Sequence, residues 1–173
     1  LLTILKSIKR LPKQHLVVIG DGKNYKTKCL KYINKHNLQN RVFFLSGLEL
    51  EEMAAIYQKA EILIYPSIFE GFGIPILESL FSKTPVISSK GGCFSETGGS
   101  HSIYINPLSV SELTSSIKKV KNNTKIKPKK SIVIHNGADH NHYKIITENK
   151  ISEFKLKNEI SNKKILITLG SVT

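Results

Sequence analysis

The run Ala60-Glu61-Ile62-Leu63-Ile64-Tyr65-Pro66, followed after Ser67-Ile68 by Phe69-Glu70-Gly71-Phe72-Gly73-Ile74-Pro75-Ile76-Leu77-Glu78, governs how the rest of the chain is read. Its first part is a short, β-branched stretch closed by a proline, the pattern of a buried strand. In its second part Ile74, Leu77, Glu78, Leu80 and Phe81 fall at helical spacing. A strand, a glycine-containing loop and a helix therefore follow one another. Glu70 sits in the loop and Glu78 about one turn inside the helix. Between them, the amides of Phe72, Gly73 and Ile74 lie near the helix start, where unpaired N–H groups and the positive end of the helix dipole suit an anion. Each carboxylate can accept two hydroxyls, which is what a sugar or a ribose offers.

The same alternation extends in both directions. His15-Leu16-Val17-Val18-Ile19-Gly20 reads as a strand ending in the turn signal Asp21-Gly22, followed by a polar-faced helix over Lys23–Asn37. Arg41–Leu45 is the next strand and Leu50–Lys59 the next helix. After the central unit come a strand at Pro85–Ser88, a helical turn at Phe94–Thr97 and a strand at Ser102–Ile105. A last helix covers Val110–Lys121, where Ser109 with Glu112 three positions on forms a capping-box pattern. Repeated β–α units with unalternating apolar strands imply an α/β fold, a Rossmann-like open parallel sheet with helices on both faces. Ligands of such sheets bind at the carboxyl ends of the strands, where strand order reverses.

Composition narrows the class. The chain of 173 residues is long enough for one well-buried core and too short for two ordinary domains. Apolar and charged fractions of 40% and 23% describe a globular protein rather than a disordered one. No apolar run approaches the ~18 residues of a membrane span, and the first residues lack the pattern of a secretory signal. Cys29 and Cys93 cannot make a disulfide framework and suit a reducing, cytoplasmic setting. Neither sits in a nucleophile-like context, and Cys93 is expected to pack.

The net charge of +13 is spread over solvated helix faces, apart from the dense run Lys118 to Lys130. No aromatic residue interleaves with that run, so nucleic acid is not the expected partner. Weak attraction to an anionic membrane surface or to nucleotide phosphate is.

The order of segments reads as rotated. Residue 1 opens directly on an amphipathic helix with Leu2, Leu5, Ile8 and Leu11 on one face and no N-cap before it. The tail Lys164-Ile165-Leu166-Ile167-Thr168-Leu169-Gly170 is a strand with no helix after it. Joining tail to head makes one more β–α unit. Residues 1–121 then form the main part of one domain and 122–130 a linker or junction. Residues 131–173 form a crossover segment and a strand of the same domain. Either a circular permutation or, the favoured reading, reordered segments of a longer chain accounts for this.

With these residues in place, the chain resembles the donor-binding, C-terminal domain of GT-B fold glycosyltransferases of the retaining family 4 group. The resemblance is carried by Pro66-Ser67, the run from Glu70 to Glu78, and Thr84-Pro85-Val86-Ile87. It extends to Val18-Ile19-Gly20-Asp21-Gly22, Val42-Phe43-Phe44-Leu45, Gly91-Gly92 with Glu96, and Ile105-Asn106-Pro107. Val133 to Asp139 is similar to the family's interdomain crossover, and Ile165 to Gly170 to its first donor-domain strand.

The resemblance implies a nucleotide diphosphate sugar as substrate and no metal or other cofactor. It implies that Glu70, the catalytic candidate, contacts hydroxyls of the donor sugar and that Glu78 holds the ribose. It further implies that the turn Gly71-Phe72-Gly73-Ile74 receives the diphosphate. Leu77 would lie against the nucleoside, Leu48 near the base, and Gly170 at the donor-facing strand end. Two departures stand out. The family's Arg and Lys after the first strand's Gly have no counterpart here, and neither does its N-terminal acceptor domain. These residues alone are therefore expected to be inactive, in a protein located in the cytoplasm or peripherally at the inner membrane face. A non-catalytic nucleotide-sugar binding domain and a GT-B sugar-nucleotide epimerase are the alternative readings.

Smaller features are weighed against these. His135, Asp139, His140 and His142 invite zinc, but the stretch is rich in loop-formers and matches a hinge. Gly20-Asp21-Gly22 lacks the third glycine of a dinucleotide fingerprint and reads as a turn lining the crevice. Glu96 either faces the donor or caps a short helix.

Overall fold

The computed structural model describes residues 1–20, 24–123, 146–161 and 163–169. Strands and helices alternate as α1 (Leu2–Lys9), β1 (His15–Ile19), α2 (Asn24–Lys35), β2 (Val42–Leu45), α3 (Leu50–Lys59) and β3 (Ile62–Tyr65). Then follow α4 (Ile74–Phe81), β4 (Val86–Ser89), α5 (Phe94–Gly98), β5 (Ile103–Ile105), α6 (Val110–Asn122), α7 (Glu148–Lys157) and β6 (Ile165–Leu169). All the strand pairs are parallel, in the order β2-β1-β6-β3-β4-β5. The expected α/β, Rossmann-like open sheet is thus present. Counting β6 first turns the order into 3-2-1-4-5-6, that of a doubly wound dinucleotide fold.

The unalternating strands follow from burial on both faces. Leu16, Val18, Ile62, Ile64 and Leu166 pack under α1, α2 and α6 with Ile4, Leu5, Ile8, Ile33 and Ile117. Val17, Ile19, Leu63, Tyr65, Ile165 and Ile167 pack on the opposite face with Ile56 and Tyr57 of α3, Ile76 of α4, Phe94 of α5 and Phe154 of α7. Strand β6 is the centre of both layers. Ile167 pairs with Val17 on one side and with Leu63 on the other.

Three local readings are refined. The helix expected over Lys23–Asn37 spans Asn24–Lys35, and Asn37 takes a left-handed φ of 54° beyond it. Ser109 does cap α6, accepting from the Glu112 amide at 3.2 Å, but the box does not close. The Glu112 carboxylate instead accepts from the Asn106 amide at 3.0 Å and pairs with Lys90 at 3.2 Å. Helix α7 falls where no helix was expected. Its only buried residues are Ile151 and Phe154, and ion pairs tie it to α3: Lys150–Glu51 at 2.5 Å, Lys157–Glu52 at 2.8 Å and Lys59–Glu148 at 2.6 Å. The linker beyond Asn123, the His135–His142 cluster, Asp21-Gly22 and Gly170 lie outside the described residues.

Candidate functional site

Strand order reverses between β6 and β3, so the crevice at their carboxyl ends is where this architecture places a ligand. The loop from Pro66 to Gly73 leaves β3 at that crevice and delivers the chain into α4. Gly73 is the turning point. It caps α4 with φ 83° and ψ 45°, in the left-handed region. A Cβ placed there would lie 3.2 Å from Ile76 Cδ1, a contact too close to accept without movement. Pro75 presets the first helical turn but has no N–H. The Ile76 amide is already bonded to the Gly73 carbonyl at 2.9 Å. Donor capacity at this helix start therefore rests on the amides of Phe72, Gly73 and Ile74.

The two carboxylates stand on either side of that turn, and a phenol holds each. Tyr65, the last residue of β3, donates to Glu70 Oε1 at 2.7 Å. Tyr57, fully buried on α3, donates to Glu78 Oε2 at 2.8 Å. Burial first, and the Glu70 carboxylate second, push the Tyr65 phenol well above its ordinary value. It therefore remains a proton donor across the physiological range. The backbone behind both phenols is also fixed. The Ser88 hydroxyl donates to the Tyr65 carbonyl at 2.9 Å, and the Thr84 hydroxyl to that of Tyr57.

The loop itself is pinned from α5. Cys93 Sγ approaches the Glu70 carbonyl at 3.4 Å, and Cys93 packs at the edge of the core as expected. The Thr97 hydroxyl lies within bonding reach of the Phe72 and Cys93 carbonyls. With one proton it serves one of them at a time.

Around this centre Leu77 is half-buried on α4, Gly71 is exposed, and Ile74 stands exposed at the helix start. Ile68 and Phe69 are 76% and 87% exposed, which makes an apolar rim beside Glu70. Leu48 is half-buried after β2 and packs against the core layer that holds both tyrosines. Three strand spacings of about 4.8 Å separate β2 from β3, or about 14 Å across the crevice. Glu96 is exposed in the first turn of α5. The structure thus brings Glu70, the Gly71–Ile74 turn, Leu77 and Glu78 together and sets Leu48 across the sheet from them.

The sequence reading assigns no role to Tyr57, Tyr65 and Thr97, and to Cys93 only packing. The available signal was a tyrosine inside an otherwise aliphatic run, since a buried phenol needs a partner. Among the described residues, no three His, Cys, Asp or Glu are grouped to hold a metal ion. No described helix is long and apolar enough to cross a membrane.

Comparison with known proteins bears on the family and the fold. A model of the family "Glycosyl transferases group 1" matches residues 1–139. The O-antigen chain mannosyltransferase RfbU of Salmonella typhimurium is 34% identical over 106 residues, covering 61% of this chain and 30% of that protein. The MMP alpha-(1->4)-mannosyltransferase of Mycolicibacterium hassiacum is 36% identical over 87 residues, covering 49% and 21%. The chain therefore spans less than a third of the length of these relatives. Among solved structures, sucrose-phosphate synthase of Thermosynechococcus elongatus superposes with a TM-score of 0.66 at 22% identity, over 73% of this chain and 34% of that one. That likeness is one of fold.

Proposed function

Because the chain belongs to the family of group 1 glycosyl transferases, we propose that it is the donor-binding part of a retaining GT-B enzyme. In this reading it takes a nucleotide diphosphate sugar and serves transfer of the sugar to an acceptor hydroxyl. The supporting observation is the pair of carboxylates, Glu70 and Glu78, each gripped by a buried phenol on either side of the Gly73 turn. Glu78 accepts the ribose hydroxyls, and Glu70 those of the donor sugar. The amides of Phe72, Gly73 and Ile74 take the diphosphate. Leu77 lies along the nucleoside and Leu48 near the base, a span that the width of the crevice accommodates.

In the transfer, the bond from the anomeric carbon to the diphosphate oxygen breaks and a bond to the acceptor oxygen forms. The acceptor's proton passes to the departing diphosphate or to water, and a nucleoside diphosphate leaves. The departing charge is met by the helix-start amides and by basic groups supplied from outside this chain, with no resident metal in the scheme. The acceptor is held by a domain outside this chain. Two relatives named as mannosyltransferases, one acting on O-antigen chains, favour a mannosyl donor and a surface polysaccharide acceptor. The rotated order belongs to the same reading, since β6 counted first yields the doubly wound order.

The test is a thermal-shift series with UDP-, GDP- and ADP-sugars, because a ligand that binds only the folded state raises its apparent stability. One base should raise the midpoint, by about 2.7 kcal/mol of stabilisation at a hundredfold excess over Kd. Glu78→Ala and Glu70→Ala should each diminish the shift. No shift with any of the three, or shifts indifferent to both substitutions, would sink the reading.

A second part of the proposal concerns the partner surface at the cytoplasmic face of a membrane. Helices α1, α2 and α6 cover one side of the sheet and carry nine lysines against a single carboxylate, Glu112. They form one layer: the Leu2 amide meets the Tyr25 hydroxyl at 3.3 Å, and the Ser7 hydroxyl meets the Val110 carbonyl at 3.3 Å. Lys6, Lys9, Lys28, Lys31, Lys35, Lys118 and Lys119 are exposed on it. Such a layer complements an anionic bilayer, at about 1 kcal/mol per lysine near the surface. Sedimentation with phosphatidylglycerol-containing vesicles should capture the protein at low salt and release it at high salt. Equal capture by neutral vesicles, or none by anionic ones, would overturn this assignment.

A further inference from the structure

We propose that Tyr57 and Tyr65 are separate positioning residues, one locking the nucleoside-side carboxylate Glu78 and the other the sugar-side carboxylate Glu70. The inference deepens the donor-site reading above and rests on it. Each of the two phenol–carboxylate hydrogen bonds draws on its own pair of residues. Tyr57 projects from α3 to meet α4, and its carbonyl is anchored by Thr84. Tyr65 ends β3 and meets the loop, and its carbonyl is anchored by Ser88. Both phenols are buried in the same core layer, so their hydroxyls are aimed by packing rather than by solvent.

A free glutamate side chain samples many rotamers, and binding must freeze it. A buried phenol bonded to one carboxylate oxygen has already selected the rotamer, and a carboxylate has about four lone-pair sites, more than one phenol takes. Tyr65 stays protonated throughout the working range, so this restraint does not switch off with pH. The alternative is that each carboxylate merely satisfies a buried hydroxyl. In that case, loss of the hydroxyl would change stability and leave ligand discrimination alone.

The test measures calorimetric Kd values of the 173-residue chain for a nucleoside diphosphate and its sugar conjugate. The probes are GDP with GDP-mannose and UDP with UDP-glucose, and thermal melts of each variant run in parallel. Tyr57→Phe should weaken the diphosphate and the conjugate alike, by about tenfold, the effect of losing one hydrogen bond to a charged group. Tyr65→Phe should weaken the conjugate by about the same factor and leave the plain diphosphate within about twofold. Values within twofold for both variants would overturn the inference. So would equal losses on both probes from Tyr65→Phe.

Glu70→Ala and Glu78→Ala serve as controls for the underlying reading. If they weaken binding while the Phe variants do not, the positioning role fails and the donor site stands. If neither glutamate variant changes binding, or the unaltered chain binds no probe, the donor-site reading falls and this inference with it.

Discussion

Ile167→Asp is expected to leave the chain unfolded at 25 °C, with far-ultraviolet circular dichroism lost and no cooperative denaturant transition. Ile167 is fully buried at the middle of the central strand, between Val17 of β1 and Leu63 of β3, with Ile76, Tyr57 and Phe154 in the same core layer. Removing the side chain forfeits about 1.5–3 kcal/mol of burial. Placing a carboxyl there costs about 2–7 kcal/mol more even when it is neutral. Domains of this kind have about 5–15 kcal/mol in total, so a loss of about 3.5–10 kcal/mol is of the same order as the whole, and an ionised carboxylate costs more still. Ile167→Val should cost only about 0.5–1.5 kcal/mol, read as a lower denaturant midpoint at unchanged slope. A cooperatively folded aspartate variant within about 1 kcal/mol of the parent would mean that β6 is not the centre of the sheet.

Gly73→Val should remove nucleotide binding while the fold survives. A β-branched residue held at φ 83° is strained by about 1–2 kcal/mol. Its Cβ would also press on Ile76 Cδ1 from 3.2 Å. Ile76 is fully buried with little room to give, and the strained φ favours movement of the turn, which misplaces the amides of Phe72, Gly73 and Ile74. A displacement of about 1 Å at such a site can cost about a hundredfold. Gly71→Ala is the matched comparison, because nothing lies within 4 Å of a Cβ there and its φ is not positive. It should bind nucleoside diphosphate within about twofold of the parent, where each tenfold is 1.4 kcal/mol. Equal binding by Gly73→Val and the parent, in titration calorimetry, would remove the turn from the phosphate site.

Much of this architecture was legible in the sequence because the strands are buried on both faces. Leu16 and Val18 face one layer while Val17 and Ile19 face the other, so the run shows no alternation and reads as parallel sheet. Helix α7 was not legible, for the opposite reason. Its buried apolar pattern reduces to Ile151 and Phe154, and charge pairing with Glu51, Glu52 and Lys59 of α3, 89 to 105 positions away, adds to it.

The site divides along the same line. Glu70, Glu78 and the Gly73 turn could be found from residue type and spacing within one strand–loop–helix unit. The phenols show only as tyrosines in apolar runs, with no sign of which carboxylate each one meets. Tyr57 reaches Glu78 only because α3 and α4 lie side by side, and a tyrosine on a helix's apolar face looks like core until its hydroxyl has a destination. Glu112 shows the limit of a local motif. The spacing from Ser109 suits a closed box, but the Asn106 amide and the Lys90 ammonium compete for the same carboxylate and win it.

The central strand carries a cost in time. In the order of the sequence as it stands β6 follows every other described strand, yet it joins the β2-β1 pair to the β3-β4-β5 trio. Until it docks, β1 and β3 each present an inner edge of unpaired amides and carbonyls. These are adhesive surfaces that a second molecule's strand can occupy as readily as the proper one. Refolding should therefore depend on protein concentration, with dilute, slow release from denaturant favouring monomer and rapid concentrated release favouring strand-exchanged aggregates. The strand that completes the sheet is also the one on which clean folding waits.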